Sequence, residues 1–146
     1  MADNQSGAAK AVETLLESTL DSVDEAEALV VDVATKAGLP EDDLHKLGMA
    51  VREAMVNAVV HGNRYSLKKK VHLGVENDPD RLTVTITDEG DGFDFANLPD
   101  PLAEENLLRQ SGRGMLLIRA FVDEVHLDVA PPLGTRIRMI KFRSAG

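Results

Sequence analysis

The sequence contains no cysteine. That excludes a disulfide framework, a thiolate nucleophile and a zinc-thiolate site, so any metal must be held through oxygen or histidine. No apolar run approaches the ~20 residues that a membrane-spanning helix needs. The opening Met1-Ala2-Asp3-Asn4-Gln5-Ser6-Gly7 has neither the basic patch nor the apolar core of a secretion signal, so a cytoplasmic protein that engages no membrane is expected. Positive charge is outweighed: 16 Lys and Arg stand against 25 Asp and Glu, a formal net charge of −9. A phosphate backbone is held mainly by clustered Lys and Arg, so direct nucleic-acid binding is not expected. The local exceptions, Lys68-Lys69-Lys70 and the series Arg136, Arg138, Lys141 and Arg143, read as solvated strand ends. Internal repeats and low-complexity tracts are absent.

What is present fits one globular domain. With 146 residues, 43% of them apolar and 28% charged, the chain can bury about 68% of the surface its unfolded form exposes. Residues 1–8 are small and polar and are expected to be disordered, leaving residues 9–146 as the domain. Ala11 to Thr19 is ambiguous between helix and edge strand; the break at Ser18 to Asp21 favours a strand. Val23 to Lys36 has helical periodicity, with Asp21 or Ser22 as its cap and Gly38 beyond its end. Pro40 suits the first turn of a second helix running from Glu41 to His61, which Gly62 and Asn63 end.

On that second helix Glu53 and Asn57 stand four residues apart, one above the other. At ~100° per residue, Leu47, Val51, Ala54 and Ala58 form the apolar stripe, and Glu53 and Asn57 lie on its flank, where a site wall belongs. Taken alone, they are equally well a half-buried polar pair on an ordinary amphipathic helix.

After Lys70 the period changes to two. Val71, Leu73 and Val75 alternate with polar residues, Asn77 to Asp80 supplies a turn, and Leu82, Val84 and Ile86 share a face with Asp88. Thr83, Thr85 and Thr87 face the other way. Asp88 therefore points inward, where an ionised carboxylate is costly unless specific donors meet it. Gly90 and Gly92 follow and let backbone approach a bound group closely, although Asp-x-Gly-x-Gly is also common in turns and calcium loops. The spaced acids of an EF-hand loop are missing.

Ala96 to Gln110 reads as a long polar connection of the lid type, with a short helical piece near Ala103 to Leu108. Ser111-Gly112-Arg113-Gly114 then opens an apolar helix from Met115 to Val122, whose first N–H groups are suited to an anion such as phosphate; a flexible hinge into a core helix is the blander reading. Val125, Leu127 and Val129 form one strand, Pro131 to Gly134 a turn, and Thr135, Ile137 and Met139 the inner face of the last strand. Two or three helices beside four or five largely antiparallel strands predict a two-layer α/β sandwich. Of the histidines, His61 either shapes the site or packs at the helix end, while His45, His72 and His126 read as surface or edge-strand residues.

Together these stretches resemble the four ATP-site boxes of the GHKL superfamily, which includes gyrase, histidine kinases and MutL: Glu53-x-x-x-Asn57, Asp88-x-Gly90-x-Gly92, Gly112-x-Gly114 and Gly134-Thr135, in that order. The likeness runs from Asp21 to the end and implies the histidine kinase-like ATPase fold, with a mixed, largely antiparallel sheet. Asn57-Ala-Val-Val-His61-Gly62-Asn63 and Ser111 to Val125 are closer to the anti-sigma factor serine/threonine kinases than to sensor histidine kinases.

The resemblance implies ATP and Mg2+ as cofactors, with Asn57 as the metal ligand and Glu53 as the catalytic base. It implies Asp88 as acceptor of the adenine amino group, assisted by Thr135, with Gly90 and Gly92 passing over adenine. Gly112 and Gly114 would bring backbone donors to the phosphates, and Arg113 would neutralise charge on the transferred group. An acidic chain can hold ATP in this way, through backbone N–H groups, metal and a few basic side chains. The implied function is phosphorylation of an anti-anti-sigma (STAS-type) partner, with sequestration of a sigma factor, by a homodimer. A detached histidine kinase catalytic domain and a non-enzymatic ATP-dependent binding switch remain as alternatives.

Overall fold

Alternating apolar and polar residues build the sheet, and helical apolar stripes cover one side of it. The computed structural model describes residues 10–90, 114–129 and 134–143. The five strands are β1 (Lys10–Glu17), β2 (Lys70–Asn77), β3 (Arg81–Thr87), β4 (Glu124–Val129) and β5 (Thr135–Phe142). Their order is β1-β2-β3-β5-β4, and every described pairing is antiparallel. The ambiguous N-terminal stretch is thus an edge strand, paired with β2 from Lys10 opposite Asn77 to Glu17 opposite Lys70.

Helix α1 (Asp21–Lys36) does not use the expected cap. Leu20 occupies the cap position, already in the right-handed helical region, and its apolar side chain can make no capping bond. The Thr19 carbonyl accepts the Ser22 N–H at 3.1 Å, while Asp21 and Asp24 sit in the first turn, where carboxylates meet the positive end of the helix dipole. Helix α2 (Glu41–Val56) starts after Pro40, which is extended at the cap instead of lying inside the first turn.

The expected helix to His61 is continuous but changes character. Asn57–Gly62 is a π-helical segment, in which the Asn63 N–H reaches the Ala58 carbonyl at 2.8 Å and the Tyr65 N–H reaches Val59 O at 2.9 Å. Arg64 and Tyr65 then take left-handed backbone angles, with φ of 52° and 60°, and turn the chain towards β2. Helix α3 (Gly114–Phe121) packs on α2.

The core lies between the helices and one sheet face. Val71, Leu73, Val75, Leu82, Val84, Ile86, Ile137 and Met139 meet Val23, Val30, Leu47, Val51, Met55 and Ile118 there, all buried. Each such side chain contributes about 1.5–3 kcal/mol by leaving water. The basic strand ends are largely engaged in ion pairs and capping bonds. Arg136 forks onto Asp128 at 2.8 and 2.6 Å, Lys70 pairs with Glu17, Lys141 lies 3.4 Å from Asp43, and Arg143 donates to Asn77 and to the carbonyls of Asp78 and Ala37.

Among the described residues no helix is long and apolar enough to cross a membrane. Residues 1–8, the connection from Ala96 to Gln110 with its short helix, and Pro131 to Leu133 of the expected turn lie outside the described residues.

Candidate functional site

The edge of α2 carries Glu53 and Asn57 where the periodicity puts them. Leu47, Val51, Ala54 and Ala58 are buried, and Glu53 and Asn57 are both half-buried on the flank of that stripe. Asn57 is the junction residue: it ends α2 and opens the π-helical segment. Gly62, at the end of that segment, lies against Asp88, so the end of the π-helical segment and the end of β3 meet.

Asp88 is 6% exposed and continues the buried face of Leu82, Val84 and Ile86. Its Oδ1 accepts the Gly90 N–H at 2.9 Å and the Thr135 N–H at 3.0 Å. Its backbone is held by the same neighbour, through Asp88 N–H to Thr135 O at 3.0 Å and Gly134 N–H to Asp88 O at 2.9 Å. Both side-chain bonds fall on Oδ1, while Oδ2 lies over the Cα of Gly62. Burial pushes the Asp88 carboxyl above the usual carboxylate range; the Gly90 and Thr135 N–H groups and the Lys69 charge pull the other way. A buried carboxylate with one oxygen satisfied by backbone is suited to accept a hydrogen bond from a ligand on the other.

Three glycines make this packing possible. A Cβ at Gly62 would stand 2.2 Å from Asp88 Oδ2, one at Gly134 2.2 Å from Asp88 Oδ1, and one at Gly90 2.2 Å from the Gly62 carbonyl oxygen. From local pattern Gly62 read as a helix stop and Gly134 as a turn, and the resemblance set both within the box stretches; their contact with Asp88 was not legible, because it depends on a carboxylate distant in the chain.

Sequence reasoning missed a polar cluster beside Asp88. Asn63, read as a helix stop and as the last residue of the Asn57 to Asn63 stretch but given no role of its own, is 2% exposed; its amide donates to Ser18 Oγ at 2.9 Å and Lys70 O at 3.0 Å, and accepts the Glu89 N–H at 2.8 Å. His72 is not an edge residue, since β1 covers the edge of β2; its Nε2 is 2.6 Å from Glu89 Oε2. That bond holds the Glu89 carboxyl below the usual range, against a smaller opposing effect of burial. His61 is exposed, so the helix-end packing considered for it is absent; His45 and His126 are exposed as expected.

Thr135 is brought directly to Asp88, and Gly90 to both Asp88 and Gly62. Gly114 is the first residue of α3. Gly92, Gly112 and Arg113 lie outside the described residues. No group of three or more His, Asp or Glu able to hold a metal occurs among the described residues. The half-buried Asn57 amide oxygen is a hard donor of the kind that suits a cation otherwise held by ligand phosphates and water.

Comparison with known proteins places the chain in a family. Residues 16–141 match the family model described as histidine kinase-like ATPase domain. An anti-sigma F factor of Bacillus subtilis is 34% identical over 105 residues, covering 70% of this chain and 72% of its own length. The serine-protein kinase RsbW of Staphylococcus epidermidis is 34% identical over 121 residues, 75% of this chain and 72% of that one. A crystal structure of RsbU and RsbW domains from Mycobacterium tuberculosis superposes with a TM-score of 0.63 at 15% identity, over 93% of this chain and 33% of that longer chain, a likeness of fold. The chain belongs to the histidine kinase-like ATPase family, in its anti-sigma factor and serine-protein kinase branch.

Proposed function

We propose that this chain is an ATP- and Mg2+-dependent serine/threonine protein kinase that phosphorylates an anti-anti-sigma partner and sequesters a sigma factor. The observation that carries the ATP site is the buried Asp88 carboxylate, with Oδ1 held by two backbone N–H groups and Oδ2 set beside Gly62. Adenine offers an amino donor of the right sign to such an oxygen. The names of the relatives, anti-sigma F factor and serine-protein kinase, support the rest.

In this reading Asp88 selects adenine, and Thr135 assists from the neighbouring strand. Gly90 and Gly92 let the chain pass over the base, while Gly112 and Gly114 bring backbone donors to the phosphates. Arg113 offsets charge on the transferred phosphoryl group. Asn57 would hold magnesium through its amide oxygen, and the metal supplies neutralisation of phosphate charge. Glu53, one turn before Asn57, accepts the proton of the attacking serine hydroxyl, which requires it within about 3 Å in the reactive complex. Phosphorylation of one partner then alters whether the other is held. The working form is a homodimer in the cytoplasm, a state that sedimentation tests.

The deciding experiment incubates the protein with labelled ATP, Mg2+ and candidate partners from its own genome and locates the label. Acid-stable phosphoserine is expected. Acid-labile phosphohistidine would make the chain a detached histidine kinase domain, and tight ATP binding without transfer would make it a binding switch.

A further inference from the structure

Asp88 is held from two sides. On one side β5 fixes its backbone and Oδ1 through Gly134 and Thr135. On the other side the next peptide, Glu89, is held by the side chain of Asn63 at 2.8 Å. Asn63 has little freedom to move. Its two amide hydrogens go to Ser18 Oγ and Lys70 O, and Ser18, 1% exposed, donates in turn to Lys69 O at 2.5 Å. An amide whose donors face two oxygens and whose oxygen faces an N–H has one orientation that satisfies all three. One buried side chain therefore joins the end of the π-helical segment, the bend after β1, the start of β2 and the turn after β3.

Without the Asn63 bond, Gly134 would still hold the carbonyl of the Asp88–Glu89 peptide and His72 the Glu89 side chain, but the Glu89 N–H would lose its acceptor, and a rotation of that peptide towards another would carry Gly90 off the Gly62 carbonyl. The Gly90 N–H is one of the two donors that aim Oδ1, so that rotation also releases Oδ2 from its direction. Direction matters for the choice of base. Adenine presents an amino donor where guanine presents a carbonyl oxygen, and a firmly aimed carboxylate repels the second; one that can swing aside meets other donors of guanine instead. A site built around a buried hydrogen bond discriminates strongly only while its geometry is held.

We propose that Asn63 is a positioning residue for base specificity: by clamping the Glu89 peptide it aims Asp88 and sets the preference for adenine over guanine nucleotides. The inference rests on the adenine-site reading of Asp88 given above.

The test is calorimetric binding of ADP and GDP, with Mg2+, to the full chain and its variants. Wild type is expected to prefer ADP by at least about tenfold. Asn63→Ala is expected to weaken ADP about tenfold while changing GDP by less than about threefold, so that the preference collapses. Ser18→Ala, which loosens the same cluster but leaves the Glu89 bond, is expected to lower thermal stability and keep the preference. Equal weakening of ADP and GDP in Asn63→Ala overturns the proposal, as does collapse of the preference in Ser18→Ala. Asn63→Ser, which keeps a small polar group but is too short to reach Glu89, is read by the same criteria if the alanine variant does not fold. Independently of any variant, the Glu89 amide of the nucleotide-free wild type must be protected from hydrogen exchange; free exchange overturns the clamp. If wild type itself shows no preference, the adenine reading fails and the inference with it. If wild type prefers ADP and Asn63→Ala keeps the ratio, the inference alone fails.

Discussion

Gly62 and Asp88 are packed so closely that no side chain fits between them: a Cβ at Gly62 would lie 2.2 Å from Oδ2 and 2.4 Å from Cγ of Asp88. The obstructing atoms belong to the Asp88 side chain, whose carboxyl can rotate away, while its Cβ, 2.9 Å off, needs a small backbone shift. Gly62→Ala is therefore expected to fold, with a loss of about 1–3 kcal/mol, and to turn Asp88 out of its position. Adenine nucleotide affinity should drop by more than about tenfold. At Gly90 the obstruction is the Gly62 carbonyl, which is backbone, so Gly90→Ala should lower the melting temperature more than Gly62→Ala does. Paired melting and nucleotide-binding measurements check both.

Asp88 gives a pH signature with a definite sign. Its folded-state pKa is raised, mainly by burial, so the folded chain binds this proton more tightly than the unfolded chain. Stability from this group is greatest below the ordinary aspartate value of about 3.9 and falls as pH rises through the higher folded value. Asp88→Asn removes that titration while its side-chain oxygen can still accept from Gly90 and Thr135. Relative to wild type, the nucleotide-free variant should become more stable as pH increases from about 4 to 7. Its nucleotide binding should weaken, because an amide donor would face the adenine amino group. Melting curves across that range, with and without ADP, separate the two effects.

Glu53 and Asn57 are neighbours on one helix edge with different proposed tasks. Glu53→Ala should keep nucleotide affinity and lose phosphate transfer by about 10²–10⁴-fold, the usual contribution of a positioned base. Asn57→Ala should raise the Mg2+ concentration needed for nucleotide binding. Transfer at the wild-type rate in Glu53→Ala would exclude the base assignment.

The clamp between α1 and α2 is predicted to matter little for function. The Arg52 guanidinium reaches Asp24 and Glu27, each at 2.7 Å, and these carboxylates hold it above the usual range. Because Arg52 is 40% exposed, solvent screens the pair, so Arg52→Ala should cost no more than about 1 kcal/mol. Denaturant midpoints should show that difference shrinking at high salt, with nucleotide binding unchanged.

Much of the site was legible because it depends on short-range periodicity. A helical repeat puts Glu53 and Asn57 on one flank, and a strand repeat puts Asp88 on the buried face with Ile86. The same local logic misplaced the α1 cap, where the backbone entered the helix one residue early without a side-chain bond. It also missed the π-helical turn at Asn57–Gly62, whose defining bonds, such as Asn63 N–H to Ala58 O, were not foreseen from the helical pattern. Asn63 looked like a helix stop because Gly-Asn commonly is one; its three side-chain partners come from the bend after β1, the start of β2 and the turn after β3, the farthest of them Ser18.

The sequence by itself determined which residues face inward along each element, since that follows from a repeat of two or 3.6 residues and from the exclusion of apolar groups from water. Only the tertiary structure decided what those residues meet. Strands β3 and β5 are neighbours although α3 and β4 separate them in the chain, so Thr135 is delivered to Asp88, and the π-helical end of α2 brings Gly62 onto the same carboxylate. Such contacts are set by closing long loops against a shared core, a choice made by packing the whole chain, and no local pattern encodes it.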